Sequence, residues 1–408
     1  LAILVKKKGY KVIGIDIDDL KIQTINEGKS PFKDEKLAQD LRNTPIEATT
    51  DFDVIQKASI VVVCVPTPVH EDHEPNLKPL EDAVASIASH LQKGALLIIE
   101  STVNPGVCEN IVLPIIQEKT NFTPGVDFYL AHCPERINPG DPKWNVENIN
   151  RVLGSFEKIG LEKAKTFYEN ILDAQIKTMK SLKEAEAVKV VENTFRDINI
   201  AFVNELAMSF GKMGIDVVNV INGAATKPFA FMAHYPGCGV GGHCIPVDPY
   251  YLIKYGKENG YEHKFISLAR EINSGMPEFT VNELERLLQQ KDIQLVGSTI
   301  AVLGLAYKGE VDDCRESPSF EIIKLLQEKG VEVKIYDPFV LKKSNTKSVE
   351  DVLEGSVGAI IATSHKVFCN LTAETLEQSG IKVLVDGKNC LERSLVENVG
   401  VTYVGIGR

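Results

Sequence analysis

Lys11-Val12-Ile13-Gly14-Ile15-Asp16 is the stretch that decides the fold. It is a short apolar run that closes on an acid. Ahead of it, Leu1-Ala2-Ile3-Leu4-Val5-Lys6-Lys7-Lys8-Gly9 has the basic last turn and glycine stop of a helix end. A strand reached from a helix and ending in Asp is the second strand of a dinucleotide-binding βαβ unit. The first strand and its glycine-rich phosphate turn belong before it. We therefore expect that strand and turn, about 15–20 residues by the usual size of the unit, to be missing from the N-terminal part of the sequence. Asp16 suits a ribose diol, so the expected cofactor is NAD; the 2′-phosphate of NADP would be repelled. For this residue alone, a helix-capping aspartate is the competing reading.

Working outward, strands and helices alternate. Ser59-Ile60-Val61-Val62-Val63-Cys64-Val65, Ala95-Leu96-Leu97-Ile98-Ile99-Glu100 and Phe128-Tyr129-Leu130-Ala131 read as buried parallel strands. Each is followed by a polar loop, and ligands bind beyond the carboxyl ends of such strands. Residues 184–210 contain neither Gly nor Pro and are apolar at helical spacing, which predicts one long helix within 181–213. Helical segments continue to about residue 290. A second α/β unit follows: a strand and turn from Thr299, a helix over 319–329, a strand over 331–338 ending in an acid, and strands over 357–363 and 383–386. The predicted fold class is α/β, with two Rossmann-like doubly wound domains joined by a long central helix and a helical middle domain. The expected domains are 1–180, 181–290 and 291–408.

Composition narrows the function. A chain of 408 residues is too long for one core. Its net charge of -11 argues against a general nucleic-acid binder. No apolar run is long enough to span a membrane, so a cytoplasmic protein is expected. The eight cysteines are scattered without CxxC pairs, so neither a metal site nor a disulfide framework is expected.

The chemistry concentrates in Tyr235-Pro236-Gly237-Cys238-Gly239-Val240-Gly241-Gly242-His243-Cys244-Ile245-Pro246-Val247-Asp248-Pro249. Four glycines in six positions cost backbone entropy and bury nothing, so something requires a bare backbone there. A turn followed by a buried cysteine is the plain reading. A nucleophilic Cys244 on a loop that admits substrate is the sharper one. Lys189, Asn193 and Arg196 fall at i, i+4 and i+7 on one helix face, with Asn204 on a similar bearing. A solvated polar stripe is the ordinary reading, but Asn is a poor helix former and argues against it. A lysine there would stabilise an oxyanion. Lys308 and Arg315 stand at the mouth of the second α/β unit, where cations bind phosphate; helix capping around Ser317-Pro318 is the alternative.

With these residues assembled, the sequence resembles the UDP-glucose/GDP-mannose dehydrogenase family along nearly its whole length. The motifs are Val65-Pro66-Thr67-Pro68, Glu100-Ser101-Thr102, Pro134-Glu135-Arg136, Ala185-Glu186-Ala187-Val188-Lys189 with Asn193, Gly241-Gly242-His243-Cys244 with Asp248, and Lys308 with Arg315-Glu316-Ser317-Pro318. Within the family the N-acetylhexosamine branch is the nearest in pattern. Ala224-Ala225-Thr226-Lys227-Pro228-Phe229 and Cys244-Ile245-Pro246-Val247-Asp248-Pro249-Tyr250-Tyr251-Leu252 resemble UDP-N-acetylglucosamine 6-dehydrogenases. Asn193-Thr194-Phe195-Arg196-Asp197-Ile198-Asn199-Ile200-Ala201-Phe202 also resembles UDP-N-acetylmannosamine dehydrogenases.

The resemblance implies two successive NAD-dependent oxidations of the sugar C6 alcohol to a carboxylate, for surface polysaccharide precursors. By it, Cys244 attacks the intermediate aldehyde, Lys189 and Asn193 hold the oxyanion, and Asp248 assists proton transfer or orients Lys189. Thr102 and Glu135 position water. Asp16, Lys21, Thr67, Thr102 and Arg315 match cofactor contacts, and Lys227, Gly241 and Lys308 match positions near the UDP-sugar. Phe229 or Phe231 is expected to pack on the acetyl methyl and Arg196 to donate to the acetyl carbonyl; the alternative is that these aromatics are core and Arg196 pairs with Glu192 or Asp197 on its own helix. The expected partners are a UDP-sugar and a second copy of the chain, as a homodimer or higher homo-oligomer through the central helix. The favoured substrate is UDP-N-acetylglucosamine, with UDP-N-acetylmannosamine and UDP-glucose as alternatives. A one-step hydroxyacid dehydrogenase or a non-enzymatic nucleotide-sugar-binding protein would have no use for Cys244, Lys189 and Glu135 together. Cys238 occupies a place where the related branch usually has proline.

Overall fold

A computed structural model describes residues 1–32, 35–70, 74–137 and 143–408. They group into two compact units, Leu1–Glu192 and Asn193–Arg408, and the division falls inside one uninterrupted helix, Leu182–Met213.

Among the described residues of the first unit, seven strands form: β1 (Ile13–Ile15), β2 (Glu47–Thr49), β3 (Ile60–Val63), β4 (Leu96–Ile99), β5 (Tyr129–His132), β6 (Arg151–Ser155) and β7 (Ile176–Thr178). β1 and β2 make a separate two-stranded parallel sheet. The other five lie side by side in the order β3-β4-β5-β6-β7. β3, β4 and β5 are parallel, as the continuous apolar runs predict, but β6 runs antiparallel to β5. All four side chains of β4 are buried because both sheet faces are covered. Leu97 and Ile99 pack with Leu80 and Val84 of helix Lys78–Ala88 and Ile116 of helix Leu113–Thr120. Leu96 and Ile98 pack on the opposite face with Phe167 and Ile171 of helix Lys158–Ile171 and with Leu4. The carboxyl ends of β1, β3, β4 and β5 carry the motif residues.

The second unit holds β8 (Thr299–Leu303), β9 (Glu332–Tyr336), β10 (Gly358–Ile361), β11 (Val383–Asp386) and β12 (Thr402–Gly405). They form one all-parallel sheet in the order β12-β11-β10-β8-β9. Strand order reverses between β8 and β10, the topological switch point at which open α/β sheets take their ligands. Ile300, Val302, Val383 and Val385 face Met276, Val281 and Leu284 of helix Lys264–Gln289. Ala301, Leu303, Ile361 and Leu384 face the short helices on the other side.

At the switch point the glycines have a definite duty. Gly304 takes a φ of +104°, and a Cβ on it would fall 2.3 Å from the Thr363 Cβ. The bare backbone lets the loops after β8 and β10 touch, and the Thr363 hydroxyl then donates to the Ala306 carbonyl at 2.5 Å.

Candidate active site

In the first unit, Asp16 follows β1. Its Oδ1 accepts the Asp18 N–H at 3.0 Å, and its Oδ2 lies 3.3 Å from the Lys21 Nζ. Capping of helix Asp19–Asn26 falls to Asp18, which accepts the N–H groups of Leu20 and Lys21. Asp16 and Lys21 thus form a half-exposed pair. A carboxylate has about four lone-pair sites, so Asp16 retains acceptor capacity for a ribose diol. This donor and acceptor set fits NAD.

The loops after β3, β4 and β5 are fastened to one another. The buried Thr67 hydroxyl donates to the Thr102 carbonyl at 2.6 Å, and the Ser101 hydroxyl donates to the Val65 carbonyl at 2.8 Å. The Tyr168 hydroxyl donates to Glu100 at 2.6 Å. Burial pushes the Glu100 carboxyl up, while the Arg151 charge and the Tyr168 hydrogen bond pull it back. The Glu135 N–H donates to the Glu100 carbonyl at 3.3 Å. The Glu135 carboxylate sits in a fork made by the fully buried Arg151, whose Nη1 and Nη2 lie 3.0 and 3.1 Å from its two oxygens. It also accepts the N–H groups of Arg136 and Ile137 at 2.6 and 2.9 Å. Thr67, Thr102 and Glu135 are therefore brought into one set of mutually bonded loops.

Two contacts tie helix Leu182–Met213 to these loops. Arg136 grips the Glu192 carboxylate with two nitrogens, its Nε at 3.0 Å. The buried Glu186 carboxylate accepts the N–H groups of Gly106 and Cys108 at 2.6 and 2.8 Å. Burial raises the Glu186 carboxyl and these backbone donors lower it. Lys189 is buried one turn after Glu186 on the same helix.

In the second unit, Cys244 lies one turn ahead of helix Asp248–Glu258, and its carbonyl accepts the Asp248 N–H at 2.9 Å. The thiol residue is exposed, and a helix N-terminus favours negative charge nearby. Asn193 donates one amide N–H to the Asp248 carboxylate at 2.5 Å, and both residues are buried. At the other end of the loop, the Gly237 N–H donates to Asn204 at 3.0 Å.

What requires the bare backbone is chiefly the loop after β8 and the start of the helix that follows it. A Cβ on Gly241 would fall 2.7 Å from Tyr307 and 2.8 Å from the Glu316 carbonyl, and one on Gly239 would fall 2.8 Å from Pro318. The Gly242 N–H donates to the Arg315 carbonyl at 3.0 Å. Cys238 is a core plug. It is fully buried, and its N–H donates to the Gly387 carbonyl at 3.2 Å.

Tyr307 packs against the loop at Gly242, two residues before Cys244. Burial, then the charges of Asp313 and Cys244, push the Tyr307 phenol up, and Arg315 and Arg196 oppose them. Burial and the Arg315 charge push the His243 imidazole down. Arg315 is itself forked by Asp313, with Nε at 3.0 Å and Nη2 at 2.7 Å. Ser317 caps helix Pro318–Glu328, so the capping reading of that motif is also met. Lys308 is exposed in the loop after β8. The Lys227 Nζ lies 4.6 Å over the exposed ring of Phe229. The carboxylates flanking Arg196 are engaged by other residues: Glu192 by Arg136 and Asp197 by Arg270.

Asp337, the acid that ends β9, mirrors Asp16 in sequence but not in role. It accepts Leu305 and Ala306 N–H at 2.6 and 2.9 Å, and Phe339 and Val340 N–H at 2.8 and 3.0 Å. His365 Nδ1 accepts the Glu310 N–H at 2.9 Å, which leaves Nε2–H to donate to Asp337 at 3.1 Å. Burial opposes the charged form, yet these donors hold the Asp337 carboxyl down, at about 2. The pair fixes the loop that carries Tyr307 and Lys308.

Arg151, Tyr168, Glu186, Asp197, Arg270, Asn273, Tyr307, Asp337 and His365 are site-supporting residues not singled out from the sequence. Their partners lie mostly dozens of residues away, so no local pattern marks them. Glu186, inside the lysine motif, Asp197, inside the motif that starts at Asn193, and Asp337, at a strand end, carry a signal. Among the described residues no group of three His, Cys, Asp or Glu could hold a metal ion. Among the same residues no helix is long and apolar enough to cross a membrane.

Comparison with known proteins agrees with this geometry. Residues 1–172 match the NAD binding domain of the UDP-glucose/GDP-mannose dehydrogenase family, 183–275 its central domain and 301–393 its UDP binding domain. The chain belongs to that family, whose members are NAD-dependent UDP-sugar dehydrogenases, and is an oxidoreductase of that class. It is 36% identical over 412 residues to the UDP-N-acetyl-D-mannosamine dehydrogenase of Pyrococcus horikoshii, covering 100% of this chain and 96% of the relative. It is also 36% identical over 380 residues to the UDP-N-acetyl-D-glucosamine 6-dehydrogenase of Pseudomonas aeruginosa, covering 91% and 89%. The solved structure of the Pyrococcus horikoshii UDP-D-ManNAc dehydrogenase superposes with a TM-score of 0.93 at 35% identity, covering 100% and 96%.

Proposed function

We propose that the protein oxidises the C6 alcohol of a UDP-N-acetylhexosamine to the carboxylate in two steps, through a thioester on Cys244. The observation that carries the reading is the Cys244 loop itself. An exposed thiol precedes a helix N-terminus, on a loop bonded at both ends to helix Leu182–Met213 through Asn204 and Asn193. A simple alcohol oxidation has no use for that arrangement.

NAD+, when bound, would supply the hydride acceptor for each of the two oxidations. Asp16 and Lys21 would hold its ribose, and Thr67, Thr102 and Arg315 would supply further contacts. The Cys244 thiolate adds to the C6 aldehyde and turns it into a hydride donor. Lys189 and Asn193 stabilise the oxyanion, and Asp248 takes part in proton transfer. After the second hydride leaves, Glu135, held in place by Arg151, and Thr102 position the water. That water releases the carboxylate and returns the thiol. Lys308, Gly241 and Lys227 bind the UDP-sugar. The matched ranges support the three-part division 1–180, 181–290 and 291–408, with the middle part also the dimer seam.

Residues 224–229 motivate the gluco epimer at C2. The whole-length match to a mannosamine enzyme motivates the manno epimer. Stoichiometric NADH release against UDP-N-acetylglucosamine, UDP-N-acetylmannosamine and UDP-glucose tests the proposal. Two NADH per N-acetylhexosamine oxidised is expected, and one NADH with accumulated aldehyde would refute the thioester route.

A further inference from the structure

The start of the Cys244 loop is held by a buried chain of polar groups that the reaction itself does not use. The Gly237 N–H donates to Asn204 Oδ1 at 3.0 Å, and Asn204 Nδ2 donates to Asn273 Oδ1 at 2.9 Å. Asn273 Nδ2 in turn donates to Asp197, to its Oδ1 at 2.8 Å and its backbone carbonyl at 3.0 Å. Arg270 Nη1 closes the chain on the same Asp197 Oδ1 at 2.6 Å. Asp197 and Asn204 are wholly buried, and Asn273 and Arg270 nearly so.

The chain has a direction that its chemistry imposes. A carboxylate beside Arg270 only accepts, so Asn273 must turn its amide nitrogen toward Asp197. Its oxygen then faces Asn204, which must present its own nitrogen there. The Asn204 oxygen is left facing the loop, where the Gly237 N–H meets it. Asp197 thereby dictates the orientation of two amides and, through them, the position of the loop's first peptide. An apolar pair of similar volume would fill the same space without the desolvation of four polar side chains, so packing alone does not call for this arrangement. Downstream the loop has little slack. Cys238 is bonded to Gly387, and Gly239, Gly241 and Gly242 press on Pro318 and Tyr307.

We propose that Asp197, Asn273 and Asn204 form a positioning relay that fixes the start of the Cys244 loop and so holds the thiol in its working place. The proposal rests on the reading of Cys244 as nucleophile. Its test therefore includes a readout that needs no turnover.

Asn204→Ala and Asn273→Ala, singly and together, would be made in the whole chain. Hydrogen exchange of the 237–244 amides and initial rates with UDP-N-acetylhexosamines would then be compared with wild type. Each single variant should exchange at least about tenfold faster across 237–244, and kcat should fall at least about tenfold with KM changed less than about threefold. The double variant should be no worse than the worse single, because both cut one chain. Where Asn204→Ala does not fold, Asn273→Ala carries the same test, since it cuts the chain one link further from the loop and frees Asn204 to turn its amide away from the Gly237 N–H. Exchange and kcat within twofold of wild type in a folded variant would overturn the relay. So would loss of the fold in both, which would make it a folding element. If wild type oxidises no UDP-sugar, the enzymatic reading fails, and the exchange data alone decide the relay.

Discussion

The side-chain amide of Asn193 donates to the carboxylate of Asp248 across 2.5 Å, and both groups are buried. The bond joins helix Leu182–Met213 to the first turn of helix Asp248–Glu258, four residues after Cys244. Asn193→Ala takes one donor from a carboxylate that cannot reach bulk water. Such a loss costs about 1–3 kcal/mol. Chemical denaturation should show this destabilisation, and kcat should fall with it. Asn193→Ala with unchanged stability would mean that Asp248 draws nothing from the contact.

Cys244→Ser should largely lose acid formation while leaving NAD binding intact. A hydroxyl is a far weaker nucleophile than a thiolate near neutral pH, so the second oxidation should slow by roughly a hundredfold or more. Product analysis by mass spectrometry, together with NADH counted per sugar consumed, checks this. Acid formed at the wild-type rate would remove Cys244 from the reaction.

Asp337 and His365 give the second unit a pH signature. The folded-state carboxyl lies near 2, against an ordinary value of 3.8. Depression of this kind stabilises the fold above the ordinary value, and the gain is lost as pH falls through the folded one. The shift corresponds to about 2 kcal/mol. Asp337→Asn should therefore lose stability by about that amount at pH 7. The gap between variant and wild type should close between about pH 4 and pH 2. Denaturation midpoints of both proteins across that range measure it. A gap that widens on acidification would contradict the assignment.

The sequence is most legible where one feature dominates locally. Helix Leu182–Met213 is recognisable because 184–210 has unbroken apolar periodicity and no breaker, and β11 is legible as a short apolar run closed by an acid. β6 and β7 carry no such mark. β6 opens on a buried arginine, and β7 is three residues long and mostly exposed, so neither shows an apolar run. No short pattern encodes the antiparallel direction of β6. At the site, composition revealed that 237–242 needs a bare backbone, but not that Tyr307 and Pro318 press on it. Asn204 stood out as a misfit in a helix, while its partner Asn273 lies 69 residues away.

Ile15-Asp16 and Tyr336-Asp337 look alike in sequence, yet Asp337 is saturated by its own unit while Asp16 keeps capacity for a ligand. NAD discrimination should therefore depend on Asp16. Asp16→Gly combined with an added neighbouring Arg should bring kcat/KM for NADP up toward that for NAD, because the repulsion of the 2′-phosphate is gone. Steady-state kinetics with both cofactors decide it. An unmodified enzyme that prefers NADP would overturn the role of Asp16.

Arg196 bears on the choice of sugar. With Glu192 held by Arg136 and Asp197 by Arg270, its guanidinium is not drawn back onto those carboxylates, and its charge reaches Tyr307 beside the Cys244 loop. An acetamido carbonyl is a suitable acceptor there, and Phe229 offers an exposed ring for the methyl group. A pocket built to pair that amide rejects a sugar without it, because the donor is then left unpaired. Wild type should thus favour UDP-N-acetylhexosamines over UDP-glucose. Arg196→Ala should lower kcat/KM for the N-acetyl substrates by roughly tenfold to a hundredfold, the worth of about 1.5–3 kcal/mol for a hydrogen bond to a charged group. Its effect on UDP-glucose should be much smaller. Measuring kcat/KM for the three UDP-sugars with both proteins separates the cases. Equal losses on all three would make Arg196 a structural residue, and a wild type that prefers UDP-glucose would overturn the N-acetyl assignment itself.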